Sequence, residues 1–258
     1  MSEHSAPTAA RLFSRVAEGH AKFRPCYPDS LLDYLAGLAP RRQLAWDCAC
    51  GSGRATQGLA ERFVSVIGTD LSAAQIALAT PRRDVRYQVA PAHESGIESG
   101  TVDLVTVAQA LHWFDLEAFY AEVRRVLVPR GVLAVWSYGA PDIEDEEISA
   151  LLEEFRTRIV GAYWPKERRH VDNGYADLPF PFEESSEAAP AFKLEICWSL
   201  PQLLGYLRSW TASEAYRQAT GVDPVLLLAA RLVHVWGEAY HQHRISWPLR
   251  LRTGRLAA

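Results

Sequence analysis

Long apolar runs are missing from this 258-residue chain. The longest candidate, Val225 to Trp236, is broken by Arg231 and His234, whereas a membrane-crossing helix needs about 20 consecutive apolar residues. The opening residues carry neither a basic amphipathic leader nor a secretory apolar core, and Ala9 to Gly19 reads as an ordinary mixed helix. Cysteine is sparse. Cys26, Cys48, Cys50 and Cys197 form no C-x-x-C pair, which argues against a zinc site and for a reduced, cytoplasmic setting. Basic charge is not in surplus either: 27 Lys and Arg face 31 Asp and Glu, for a net charge of −4. Without clustered cations to neutralise phosphates, a nucleic-acid partner is not expected. With 48% hydrophobic residues the chain can still bury one full core.

The most informative segment is Leu44-Ala45-Trp46-Asp47-Cys48-Ala49-Cys50-Gly51-Ser52-Gly53. It reads as an apolar strand ending in an acid, a small-residue turn, and a helix from Arg54 to Glu61. Small residues let a ligand lie against bare backbone, and unpaired N–H groups at the helix start can bind its polar atoms. A second apolar run from Val64 ends at Asp70, an acid placed to accept the hydroxyls of a ribose. The parts describe a nucleoside-containing cofactor. A dinucleotide fits poorly, because the third glycine of G-x-G-x-x-G is Thr56 and Asp47 would repel a pyrophosphate. S-adenosylmethionine has an ammonium group, a ribose and an adenine but no phosphate.

The segment resembles motif I of the class I S-adenosylmethionine-dependent methyltransferases, usually D-x-G-x-G-x-G, with Ala49 standing at the first glycine. The resemblance implies that Leu71 covers the adenine face. It also implies that Ala92 and His93, after the strand Val85–Val89, occupy the adenine edge, where relatives carry an acid. A fourth strand, Val102 to Val107, leads to Gln109 and to His112-Trp113. Asp115 caps a helix to Val128, and Pro129-Arg130-Gly131 breaks it before a fifth strand, Val132 to Tyr138, like the family's L-K-P-G-G corner. Phe23-Arg24-Pro25-Cys26-Tyr27-Pro28, Gly205 to Trp210 and Trp247-Pro248-Leu249 resemble a type 11, trans-aconitate methyltransferase-like branch. The Asn-Pro-Pro-Tyr type signature of base-amino methyltransferases is absent after the fourth strand.

Strands alternating with helices predict an α/β fold with a parallel sheet, ligands gathering at the carboxyl ends of its strands. The resemblance makes this a Rossmann-like class I methyltransferase sheet of seven strands, the last one antiparallel, with a helical cap. Three segments follow: residues 1–40 as an N-terminal helical cap segment, 41–140 as the cofactor-binding core, and 141–258 as the remaining strands with an inserted helical lid. In the last segment, Glu144 to Glu147 opens a helix to about Val160. Ala191 to Trp198 alternates as a strand. A capping box at Ser199–Gln202 starts a helix to about Ala219. Asp223-Pro224 starts another to about His241, and Arg244 to Arg252 is the last strand.

The expected activity is methyl transfer from S-adenosylmethionine to a small molecule, with a non-catalytic S-adenosylmethionine-binding protein as the alternative. The expected cofactor residues are Tyr27, Asp47, Ala49, Gly51, Gly53, Asp70, Leu71, Ala92, His93 and Gln109, with no metal. His112, Trp113 and Arg24 are the expected catalytic residues. For His112-Trp113 two readings stand, a proton acceptor or an aromatic wall, and for Phe23 and Tyr27 a cofactor cover or core packing. Lys166, Arg168 and Arg169 either present cations to a carboxylate acceptor or form solvated surface. Oligomeric state and acceptor identity stay open.

Overall fold

A computed structural model of the chain describes residues 17, 19, 23–184 and 188–256. The helix expected over Ala9 to Gly19 lies outside the described residues, apart from Ala17 and Gly19. Helix α1 (Asp29–Leu38) precedes strand β1 (Leu44–Cys48). Then come α2 (Arg54–Ala60), β2 (Ser65–Asp70), α3 (Ala73–Ala77), β3 (Val85–Val89), β4 (Val102–Ala108), α4 (Leu116–Val126) and β5 (Leu127–Tyr138). These five strands pair in parallel in the order 3-2-1-4-5. β1 and β4 are buried almost throughout, as central parallel strands covered on both faces must be. Along β5, Val132, Ala134 and Trp136 enter one core while Leu133 and Val135 enter the other, the two-residue alternation of a pleated strand.

The rest of the chain adds β6 (Asp142–Ile143), α5 (Glu146–Glu154), α6 (Arg168–Asp172), β7 (Glu183–Glu184) and β8 (Lys193–Trp198). It ends with α7 (Leu200–Arg208), α8 (Thr211–Thr220), α9 (Pro224–Val235) and β9 (His243–Arg255). The later half of β9 runs antiparallel to β5, and its earlier half pairs antiparallel with β8. The sheet is open and has nine strands among the described residues, not seven. The surplus is two two-residue strands, β6 and β7, which pair with β9. No helix among the described residues is long and apolar enough to cross a membrane.

Several boundaries differ from expectation for reasons that lie in packing. The Pro129-Arg130-Gly131 break falls inside β5 rather than before it. Leu127 and Val128 are buried and leave the helix, Arg130 takes a left-handed φ of 62°, and the register against β4 shifts between Val102 and Leu104. The helix expected to reach Val160 turns π-helical over Phe155–Ile159. The helix expected from Ser199 to Ala219 is two helices, broken at Trp210, whose ring packs on Phe155 and Trp164. Burying a large apolar side chain gains about 1.5–3 kcal/mol, more than the about 0.5–1.5 kcal/mol net of a helical hydrogen bond, so the break wins. The last helix stops at Val235, not His241. Trp236 is buried with its indole N–H on the His241 carbonyl at 3.0 Å, and Gly237 turns left-handed at φ 79°.

Candidate active site

A cavity of about 1230 Å³ runs along the carboxyl ends of β1, β2, β4 and β5, the edge at which open α/β sheets collect ligands. Its volume exceeds the about 300–1,000 Å³ usual for a ligand pocket. Its floor is the turn after β1. Ala49 and Gly51 both adopt left-handed backbone, at φ 55° and 57°. For Ala49 this carries a cost, since a Cβ in that region is strained by about 1–2 kcal/mol. The turn is held by Cys50 N–H on the Thr69 carbonyl and Gly53 N–H on the Cys50 carbonyl, both at 2.9 Å.

Two carboxylates flank the turn in different states. Asp70 accepts the Gly51 N–H at 2.9 Å and the Ser72 N–H at 2.8 Å, one on each oxygen. A carboxylate has about four lone-pair sites, so these bonds leave acceptor capacity for a ligand, and Asp70 borders the cavity. Burial raises its pKa, and the backbone N–H bonds pull the other way. Asp47 also borders the cavity but has 0% exposure. Its oxygens accept the hydroxyls of Thr56 at 2.5 Å and Thr106 at 2.9 Å. Burial pushes its pKa up to about 6, against the two hydroxyl bonds. Thr56, the residue that spoils a dinucleotide fingerprint, thus has a structural task on the floor.

Of the residues expected to bind the cofactor, Tyr27, Asp47, Ala49, Gly51, Asp70, Leu71, Ala92, His93 and Gln109 line the cavity. Gly53 does not. It is buried at φ 87°, and a Cβ there would collide with the Tyr87 hydroxyl, so the glycine serves the packing of β3 against the turn. Gln109 also sits in left-handed backbone (φ 58°), its N–H on the Trp136 carbonyl at 2.9 Å and its side-chain amide on the Tyr138 carbonyl at 2.7 Å. The loop bearing Ala92 and His93 runs into a segment fixed from α4. Glu122 accepts the Ser95 N–H at 2.8 Å and is paired with Arg125 at 2.7 Å.

His112, Trp113 and Arg24 also line the cavity, with Tyr138, Trp164, Pro165, Arg168 and Val171. The Arg24 guanidinium lies over the Tyr206 ring at 5.2 Å and hydrogen-bonds Tyr138 at the end of β5. Arg168 stacks on Trp164 at 4.7 Å and pairs with Asp172 at 3.2 Å. Lys166 and Arg169, grouped with Arg168 in sequence, are exposed and do not border the cavity. The helices between β8 and β9, expected as the lid, reach the cavity only through Thr211. Their apolar faces, with Leu203, Leu207, Leu228 and Leu232, are spent in the core beside Phe155 and Trp247. His112 Nδ1 lies 3.0 Å from the Tyr175 hydroxyl. Burial, then Arg168 and His170, lower its pKa to about 3. Sequence reasoning missed Tyr138, Trp164 and Tyr175, whose approach to the site depends on folding across distant segments.

Residues 46–135 match the family described as Methyltransferase domain. A Dictyostelium discoideum protein assigned as a methyltransferase is 35% identical over 214 residues, spanning 82% of this chain and 81% of that one. The solved structure of a protein assigned as a type II methyltransferase from Anaeromyxobacter dehalogenans is 42% identical with a TM-score of 0.84, over 91% of this chain and 99% of that one. The trans-aconitate 2-methyltransferase of Deinococcus radiodurans is 34% identical over 135 residues, spanning about half of each chain (49% and 51%).

Proposed function

The chain belongs to the class I S-adenosylmethionine-dependent methyltransferases, and from that premise we propose that its acceptor is a small molecule bearing a carboxylate. The observation that carries the proposal is the distribution of charge along one cavity. Asp70 and Asp47 stand at the ends of β2 and β1, while Arg24 is bonded to Tyr138 at the end of β5 and Arg168, stacked on Trp164, lines the same cavity. In the order 2-1-4-5, β2 and β5 are three strand spacings apart, or about 14 Å. Asp70 and Asp47 suit a ribose and an ammonium group, with Arg54 beside them at the start of α2, and Arg24 and Arg168 suit a carboxylate, which the guanidinium fork binds in two-pronged fashion.

Within this reading Asp70 takes the ribose hydroxyls and Leu71 the adenine face, with Ala92 and His93 along the adenine edge. Ala49 and Gly51 present bare backbone to the methionine portion, and Asp47 supplies the negative field beneath it. Gln109 and Tyr27 border the methionine end from β4 and from the N-terminal segment. His112, Trp113 and Trp164 wall the acceptor. S-adenosylmethionine supplies a methyl group already activated on sulfonium, so the protein's task is alignment and exclusion of water, effects that account for about 7–11 kcal/mol of a barrier. Cys26, Cys48, Cys50 and Cys197 are all unpaired, which supports a cytoplasmic setting.

The test is a panel of small carboxylates, phenols and amines incubated with the protein and S-adenosylmethionine, with products detected by mass. A methyl ester formed from a carboxylate, and lost in Arg168→Ala, is the expected result. Turnover confined to neutral phenols or amines overturns the acceptor assignment.

A further inference from the structure

Behind the cavity wall stands a side chain that nothing in the sequence singles out. Tyr175 follows Gly174 (φ 62°) and itself adopts left-handed backbone, φ 64°, while fully buried. That conformation is unusual for a bulky residue and persists only where the surroundings impose it. They do so here: its N–H is bonded to the His170 carbonyl at 2.8 Å, and its carbonyl accepts the Arg252 guanidinium at 2.8 Å and the Leu178 N–H at 3.1 Å. The outcome is a phenol aimed at His112, its oxygen 3.0 Å from Nδ1 and the two rings tilted by 31°.

One proton lies between these two atoms, and chemistry decides which atom carries it. Buried among apolar groups, Tyr175 keeps its proton throughout the physiological range. His112 is neutral there, facing Arg168 and His170 from α6 as well as Tyr175, with His170 itself held by Asp177 at 2.8 Å. Between a neutral phenol and a neutral imidazole, the phenol is the stronger donor and the ring nitrogen the stronger acceptor, so Tyr175 O–H donates to Nδ1. The Leu111 backbone contact favours the phenolate form, as an N–H donated to the phenol oxygen does, leaving the hydroxyl proton for His112. With Nδ1 accepting, the ring proton resides on Nε2. Among the described residues His112 Nε2 has no hydrogen bond, and His112 borders the cavity.

We propose that Tyr175 is a positioning residue that locks His112 in its Nε2–H form, so that His112 offers the acceptor a hydrogen-bond donor instead of a base. The inference rests on reading this cavity as the methyl-acceptor site. It also narrows the acceptor chemistry. A carboxylate oxygen forms its bond to the methyl carbon as the carbon–sulfur bond breaks, the electron pair goes to sulfur, and no proton has to leave. A neutral hydroxyl must lose a proton on methylation, and a ring nitrogen that already bears one cannot receive it. Donation from Nε2–H to the acceptor's second oxygen holds the group in line.

Long-range proton–nitrogen NMR of the histidine-labelled full chain tests the tautomer, with His112 assigned by its disappearance in His112→Gln. The expected spectrum has Nδ1 unprotonated and Nε2 protonated, with no titration between pH 5 and 8. In Tyr175→Phe the same signal moves toward a tautomer mixture. A wild-type His112 protonated at Nδ1, or titrating near neutrality, overturns the proposal, and this holds even if Tyr175→Phe fails to fold. With a turned-over acceptor, His112→Gln, whose amide still donates, keeps activity within about tenfold. His112→Phe loses about tenfold to a hundredfold more. Equal loss in both variants, with cofactor affinity unchanged, also overturns it. The spectrum needs no substrate, so absence of an ester product counts against the carboxylate reading and leaves the tautomer result standing.

Discussion

Asp70 and Asp47 lie on adjacent strands, yet their surroundings give them different chemistry. Asp70 takes a backbone N–H on each oxygen and borders the cavity, so its proposed ribose contact is a direct one. Asp70→Ala is expected to weaken S-adenosylmethionine binding by about 1.5–3 kcal/mol, one to two decades, read by calorimetry; an unchanged affinity removes Asp70 from the ribose. Asp47 titrates near 6, above the ordinary 3.8 of a free aspartate. An acid raised in this way makes the ligand-free protein lose stability as pH rises through the window from 3.8 to about 6, because the folded state holds the proton more tightly. The ammonium group of the cofactor favours the ionised form. Affinity for S-adenosylhomocysteine, which keeps that ammonium, should therefore fall as pH drops through about 6, and Asp47→Asn should flatten the profile. At this scale the sequence was informative wherever a residue's task is local: Asp47, Asp70 and the left-handed Ala49 and Gly51 all fall where the strand–turn–helix pattern places them. The glycine at Gly53 answers to Tyr87, a residue of another strand, which no local pattern reveals.

Among the elements, β1, β2 and β4 were legible because parallel central strands are apolar on both faces, and β3, at the edge, is the exception. The region after β5 was less so, since apolar spacing continues through Trp210 and Trp236 while the chain turns there to bury their rings. One element contact carries a prediction. Glu122 on α4 clamps Ser95 through its N–H and hydroxyl, and Arg125 of the same helix bonds the carbonyl of Ile97 and the hydroxyl of Ser99. The Arg125 guanidinium, with Ser95, holds the Glu122 pKa down to about 2 from 4.5. The stability this carboxylate contributes is complete above pH 4.5 and is lost as pH falls through about 2. Glu122→Gln should lower the unfolding midpoint at pH 7 and shrink the difference between pH 7 and pH 3. Equal differences in the two proteins would show that the clamp contributes nothing.

For the molecule as a whole, the cavity is covered by Arg24 to Tyr27 on one flank and Trp164 to Val171 on the other, while α7 and α9 are committed to the core. Cofactor binding is therefore expected to slow hydrogen exchange in residues 24–27 and 164–171, with the amides of Pro224–Val235 unaffected. Protection centred on that helix instead would restore the inserted helices as the lid. Long-range assembly is what the sequence conceals: His112 and Tyr175 are 63 residues apart, and no periodicity announces that they meet.

The antiparallel strand has a consequence for how the protein is made. β9 is the last of the nine strands to leave the ribosome, yet its later half is the partner of β5 from Val132 to Tyr138. Until β9 docks, β5 has no partner on that side and presents a bare edge, the surface on which strands of other chains add. Pairing across so long a stretch of sequence is also slow. Any state in which β1 to β5 have paired before β9 arrives leaves that flank open. How long the chain stays there, and how crowded its surroundings are, governs how much of the protein is recovered in its native form.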